Sequence, residues 1–143
     1  MKAMTYALFA LLAAAVIFWW IWISPYSFTY GETTLEIDQE ATHRVFAFGT
    51  LRNNFVRTLI IRRFVPTEPA QLQGYRRYGL DLLPDDDAVT EGVTFYVTPT
   101  QLRRLDRYER VGVKYERYLY TLEDGEHAWV YRLISDIPPV LEE

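Results

Sequence analysis

Cysteine is missing from all 143 residues, which removes disulfides, thiol nucleophiles and thiolate metal sites together. Histidine is almost as scarce. His43 and His127 have neither metal-ligand nor triad spacing, and no Gly-x-Ser-x-Gly elbow is present. Positive charge is also short: Lys2 aside, fourteen basic residues stand against nineteen acidic ones, a balance that opposes long-range attraction to nucleic acid. Lysine itself occurs twice; the thirteen arginines include the pairs Arg62-Arg63, Arg76-Arg77 and Arg103-Arg104. These pairs read as solvated faces and ion pairs, with anionic lipid headgroups as the alternative partner. Asp85-Asp86-Asp87 lacks the spaced ligands of a calcium loop and reads as a solvated loop.

Charge is absent altogether from Ala3 to Gly31. Met4 to Ser24 has the roughly 20 apolar residues that a helix needs to cross a hydrocarbon core of about 30 Å. A secretory signal peptide is the competing explanation. The run is longer than an ordinary signal core, and no small-x-small cleavage pattern follows it. It ends instead in Trp19, Trp20, Trp22, Tyr26, Phe28 and Tyr30, rings suited to a headgroup boundary. The expectation is a single-pass anchor contacting lipid through residues 4–24, a linker over 25–42 and one domain over 43–143. Lys2 precedes the span, whereas Glu32, Glu36, Asp38 and Glu40 follow it before Arg44. This bias places the N-terminus in the cytoplasm and the domain outside; a cytoplasmic-facing domain is the alternative.

Beyond the linker, where Pro25 and Gly31 are breakers, Val45-Phe46-Ala47-Phe48 is a compact apolar run closed by Gly49, and it reads as a buried strand. Asn53 or Asn54 can cap a helix with Phe55, Val56, Leu59 and Ile60 on one face, finished before Pro66. Leu72 to Leu82 reads as one strand bent at Gly74 and Gly79, and Gly92 to Val97 as the next. Thr98-Pro99-Thr100-Gln101 supplies a cap, a proline at the first helical position and a capping box, opening a helix to about Glu109 or Arg110. Tyr115 to Leu122 and His127 to Leu133 read as strands, with Asp124-Gly125 between them as the favoured two-residue hairpin turn. The order strand, helix, two strands, helix, two strands predicts one α+β domain, its mixed or antiparallel sheet curled into a small barrel with flanking helices.

Chemistry concentrates at two places. On the helix opened by Thr98, Leu102 and Leu105 define the apolar face, and Glu109 lies about 20° around from Leu102. Burial there raises a carboxylate's pKa and makes it a competent base near neutrality. A structural Glu109, paired with an inward arginine or set at a frayed helix end, is the alternative. The second place is Phe48-Gly49-Thr50-Leu51, where glycine at a strand exit lets backbone amides face an anion; an ordinary turn glycine is the alternative.

Together these segments resemble the γ-glutamylcyclotransferase family, including its γ-glutamylamine-specific and AIG2-like branches. Val45 to Leu51 is similar to the family's strand followed by aromatic-Gly-Ser/Thr-Leu. Glu91-Gly92-Val93, then Leu105-Asp106-Arg107-Tyr108-Glu109 and Tyr115-Glu116-Arg117, are similar to its later motifs. The resemblance spans Arg44 to Leu133 and implies a small barrel with a pocket at one end. It implies that the amides of the 48–51 turn hold the α-carboxylate of a γ-glutamyl group and that Tyr115 contributes to the pocket. It further implies that Glu109 takes a proton from the substrate amine, which closes on its own γ-carbonyl to release 5-oxoproline. Such a ring closure is intramolecular and requires no metal, cofactor or protein nucleophile. Phe48 stands where tyrosine is usual in the family and Arg110 where glycine is common; the N-terminal span is not part of its usual pattern. A catalytically idle copy, serving as an accessory subunit or ligand-binding module for an unidentified membrane protein, is the competing expectation.

Overall fold

The computed structural model describes residues 1–22, 30 and 34–134, and the chain divides into two compact units, Met1–Tyr30 and Gly31–Glu143. Pro25, Tyr26, Phe28, Gly31, Glu32, the side chain of Trp22 and residues 135–143 lie outside what is described. The first unit holds helix α1, Lys2–Trp22. It is long and apolar enough to cross a membrane, and its side chains through Ile21 are all exposed.

The second unit runs β1 (His43–Ala47), a 3₁₀ turn (Thr50–Arg52), α2 (Asn54–Ile61), β2 (Glu68–Tyr78), β3 (Asp81–Val97), α3 (Pro99–Tyr108), β4 (Tyr115–Thr121) and β5 (His127–Leu133). The strands form one mixed sheet in the order β2-β3-β1-β5-β4. β1 pairs antiparallel with β3, placing Val45 opposite Phe95, and parallel with β5, placing Val45 opposite Trp129. The sheet curls into a half-barrel. Its outer strands approach one another: Tyr75 of β2 meets Tyr120 of β4 edge-on at 5.2 Å, and the Glu123 N–H donates to the Gln71 carbonyl at 3.0 Å. Phe46, Phe48, Leu72, Leu82, Leu122, Ala128 and Val130 form a buried cluster with these tyrosines against it. On the other face of β1 and β3, Arg57 of α2 lies over the Phe95 ring at 5.3 Å. β1 is thus covered on both sides, which is why it reads as a continuous apolar run.

Three local expectations are corrected. The first concerns α2: Asn53 caps it, accepting from the N–H groups of Phe55 and Val56, but Phe55 and Leu59 face solvent while Arg57 and Ile61 are buried. Arg57 satisfies nearby carbonyls and so takes an inward position that hydrophobicity alone assigns to its neighbours. Secondly, Leu72 to Leu82 is a hairpin rather than one bent strand. Gly79, at φ 59°, lies in the turn that pairs Tyr78 with Asp81, and Gly74, at φ 80°, lies at a bulge. Thirdly, Asp85-Asp86-Asp87 belongs to β3 instead of a loop between elements. Tyr75 pairs with Pro84 and Gln73 with Val89, so residues 85–88 bulge outward opposite Gly74 alone.

Candidate active site

Helix α3 is specified at both ends. Thr98 accepts from the Gln101 N–H at 3.3 Å, and the Gln101 side chain accepts from the Thr98 N–H at 2.9 Å. At the other end the Val111 N–H reaches the Asp106 carbonyl at 2.9 Å and the Arg110 N–H the Arg107 carbonyl at 3.1 Å. This pair of bonds is a Schellman closure, with Arg110 taking the left-handed position at φ 51°. The closure sets Glu109 as the last residue before the chain reverses, its N–H still donating to the Leu105 carbonyl at 2.9 Å.

Glu109 is partly buried, and its carboxylate makes no hydrogen bond or ion pair among the described residues. Burial pushes its pKa up to about 7, against a smaller opposing pull from the Lys114 ammonium. The negative end of the helix dipole acts in the same direction as burial. Tyr115 and Tyr108 have pKa values raised by burial first and by the Glu109 charge second, so two phenols lie within its field.

The turn after β1 approaches the same place. Arg52 N–H bonds the Gly49 carbonyl at 3.1 Å and Asn53 N–H the Thr50 carbonyl at 3.0 Å. The N–H groups of Gly49, Thr50 and Leu51 then have no acceptor among the described residues, the usual condition of the first amides of a helical turn. Buried Arg57 pins the turn from behind, donating to the carbonyls of Leu51 at 3.0 Å and Arg52 at 3.1 Å. Gly92 supports it from the neighbouring strand: a Cβ there would meet the Ala47 oxygen at 2.5 Å and Phe46 Cζ at 2.7 Å.

All six residues singled out from the sequence, Phe48, Gly49, Thr50, Leu51, Glu109 and Tyr115, line one cleft. Phe46, Ala47, Leu80 and Tyr131 complete its wall. A larger groove of about 660 Å³ includes Glu91, Glu123 and Asp124, but these acids are exposed and it lacks a buried carboxylate.

Beneath the cleft lies a polar network that sequence reasoning missed. Arg117 Nε donates to Asp106 Oδ1 at 2.9 Å, with both side chains fully buried. The Tyr131 hydroxyl donates to the same oxygen at 2.6 Å, and its pKa is driven well above the ordinary value by burial and then by the Asp106 charge. The Arg117 guanidinium also stacks 4.2 Å from the Trp129 ring centroid. Trp129 Nε1–H donates to His43 Nδ1 at 3.2 Å, which leaves Nε2 to carry the hydrogen toward the Asp38 carbonyl at 2.8 Å in the neutral ring. Asp106 had a legible signal, since Leu102, Leu105, Asp106 and Glu109 follow one helical stripe. Leu80 and Tyr131 had none, because only the curl of the sheet brings them to α3.

The sequence model of the family described as "Gamma-glutamyl cyclotransferase, AIG2-like" matches residues 45–141. No curated protein matches the chain. Among solved structures it is similar to the Arabidopsis thaliana protein At5g39720.1, with 24% identity over 74% of this chain and 78% of that one at a TM-score of 0.59. The Arabidopsis thaliana protein At3g28950.1 shares 25% identity over 70% of this chain and 66% of the other, at a TM-score of 0.54. A solved gamma-glutamyl cyclotransferase shares 13% identity over 66% and 68% of the two chains, at a TM-score of 0.53, a likeness of fold.

Proposed function

Because this chain belongs to the gamma-glutamyl cyclotransferase, AIG2-like family, we propose that it releases 5-oxoproline from γ-glutamyl amides or peptides, with Glu109 as its proton shuttle. One observation carries the reading: a partly buried, unpaired carboxylate shares a cleft with a turn whose amides lack acceptors.

In this reading the amides of Gly49, Thr50 and Leu51 take the substrate's α-carboxylate, and Phe48 and Tyr115 wall its aliphatic part. Glu109 takes a proton from the α-amine, whose lone pair attacks the γ-carbonyl and closes a five-membered ring. Collapse of the tetrahedral adduct breaks the γ-C–N bond, and Glu109 returns the proton to the departing amine. A carboxyl group with a pKa of about 7 serves both steps at neutral pH. Proximity supplies much of the rate, since nucleophile and electrophile belong to one molecule. Phe48 offers no hydroxyl, and the Tyr131 hydroxyl in the same wall is committed to Asp106. Neither side chain therefore offers a free hydroxyl to the α-carboxylate, which is held in this reading by the backbone amides.

The α1 helix serves in this reading as a retained single-pass anchor through residues 4–24, joined by a linker over 25–42 to a domain over 43–143. Lys2 before it and the acids after it support a domain facing outside the cytoplasm. A reporter fused after Glu143 reads that orientation directly, and cytoplasmic activity of the reporter overturns it. The cyclotransferase reading is tested by incubating the purified chain with a panel of γ-glutamyl amines, amino acids and peptides and measuring 5-oxoproline. Absence of product across the panel would leave the idle module in its place.

A further inference from the structure

The α2 helix turns two large apolar side chains outward. Phe55 and Leu59, one turn apart, are 76% and 68% exposed, and Phe64 just beyond the helix is 62% exposed. Phe55 and Leu59 are neighbours on the helix surface, and with Phe64 they concentrate three exposed large apolar side chains in ten residues. Basic groups frame it. Arg52 precedes the helix and Arg62 and Arg63 end it, and none of the three forms an ion pair among the described residues. No acidic residue occurs between Glu40 and Glu68, whereas the domain's acids gather on the β3 bulge and in the turn between β4 and β5.

Aromatic and aliphatic side chains framed by guanidinium groups match the boundary between lipid phosphates and acyl chains. The same chain brings such a boundary within reach. Residues 23–33 separate α1 from the first described residue of the domain, and at about 3.6 Å per residue they span at most roughly 40 Å. A bilayer holding α1 therefore stays at high effective concentration near the domain. We propose that the outer face of α2, Phe55 and Leu59, together with the segment that follows it, Phe64 with Arg62 and Arg63, docks on an anionic bilayer surface. The inference rests on reading α1 as a membrane span. Docking bears on the cleft as well, because Arg57 of the same helix holds the turn that lines it.

The absence of cysteine makes the test direct. Full-length Leu59→Cys and, as a control on the β3 bulge, Asp86→Cys are labelled with an environment-sensitive fluorophore. Each is reconstituted into vesicles of phosphatidylcholine with phosphatidylglycerol and titrated with acrylamide as an aqueous quencher. The label at position 59 is expected to be quenched several-fold less than that at 86. Arg62→Glu combined with Arg63→Glu should abolish the difference. Equal quenching at the two positions overturns the proposal, as does shielding that survives the double charge reversal. Shielding in detergent that grows with protein concentration also overturns it, by assigning the face to a second copy of the chain. If alkaline carbonate strips the chain from the vesicles, the spanning reading of α1 falls and this proposal with it. If the chain stays and position 59 is open to quencher, docking alone fails.

Discussion

Asp106 and Arg117 meet at 2.9 Å with both side chains wholly buried, and Glu109, one helical turn beyond Asp106, has no cation within ion-pair distance among the described residues. An inward arginine does exist beneath α3, but it belongs to the aspartate. The two acids of the Leu-Asp-x-x-Glu segment therefore sit in opposite situations. Asp106 is paired with Arg117 and inaccessible; Glu109 is unpaired among the described residues, lines the cleft, and has its pKa raised to about 7 by burial.

Replacing Glu109 by Gln removes the proposed base while keeping shape and packing. Release of 5-oxoproline should fall by ~10²–10⁴-fold. Melting temperature should hold or rise, because a neutral amide replaces a carboxylate that is costly to bury. A clear loss of stability, or retention of full activity, would sink the assignment of Glu109.

The same residue predicts a pH dependence with a definite sign. Glu109 has a folded pKa of about 7 against a reference of 4.5. A raised carboxyl pKa contributes stability that is fully present below about pH 4.5 and is lost as pH climbs through about 7. Partial exposure keeps the effect below ~3 kcal/mol. Denaturant unfolding of the wild type and Glu109→Gln across this range should show the wild type losing ground relative to the variant. Activity should move the other way, with kcat/KM rising toward a plateau above about pH 7 as the base form is populated.

Breaking the buried pair should act on folding first. Arg117→Met strands the Asp106 charge and should cost ~3–5 kcal/mol in chemical denaturation. Adding Asp106→Asn to Arg117→Met should recover part of that loss, because the stranded charge is removed. If the two substitutions are independent, the contact does not stabilise the fold in the way its geometry indicates.

Arg110 holds a left-handed conformation at the end of α3 with no glycine to ease it. Arg110→Gly should raise stability by about 0.5–1 kcal/mol, read as a higher denaturant midpoint at unchanged slope. The opposite change at Gly92 is unfavourable: Gly92→Ala drives a methyl against the Ala47 carbonyl and the Phe46 ring and should cost ~1–3 kcal/mol.

Local chemistry determined much of the domain in advance. The capping box at Thr98 and the Asn53 cap are short-range features that need few distant partners. The two-residue turn expected at Asp124-Gly125 is instead wider, with the Leu122 N–H bonded to the Glu126 carbonyl at 2.9 Å around residues 123–125. Periodicity on α3 placed Glu109 with Leu102 and Leu105, and the motifs carried the resemblance to the family that matches. Other features depended on the tertiary structure. Gly79 became a hairpin turn rather than a bend because β3 was there to pair with β2. α2 buries Arg57 and exposes Phe55 because the carbonyls of Leu51 and Arg52 offer the guanidinium hydrogen bonds that no helical periodicity records. Asp106, Arg117 and Tyr131 lie 11 and 14 residues apart in sequence, yet they share one carboxylate oxygen only after the sheet has curled and α3 has settled on it. Sequence pattern reports which side chains prefer to leave water. Which polar group goes with them depends on the partner waiting inside, and that partner is supplied by the fold.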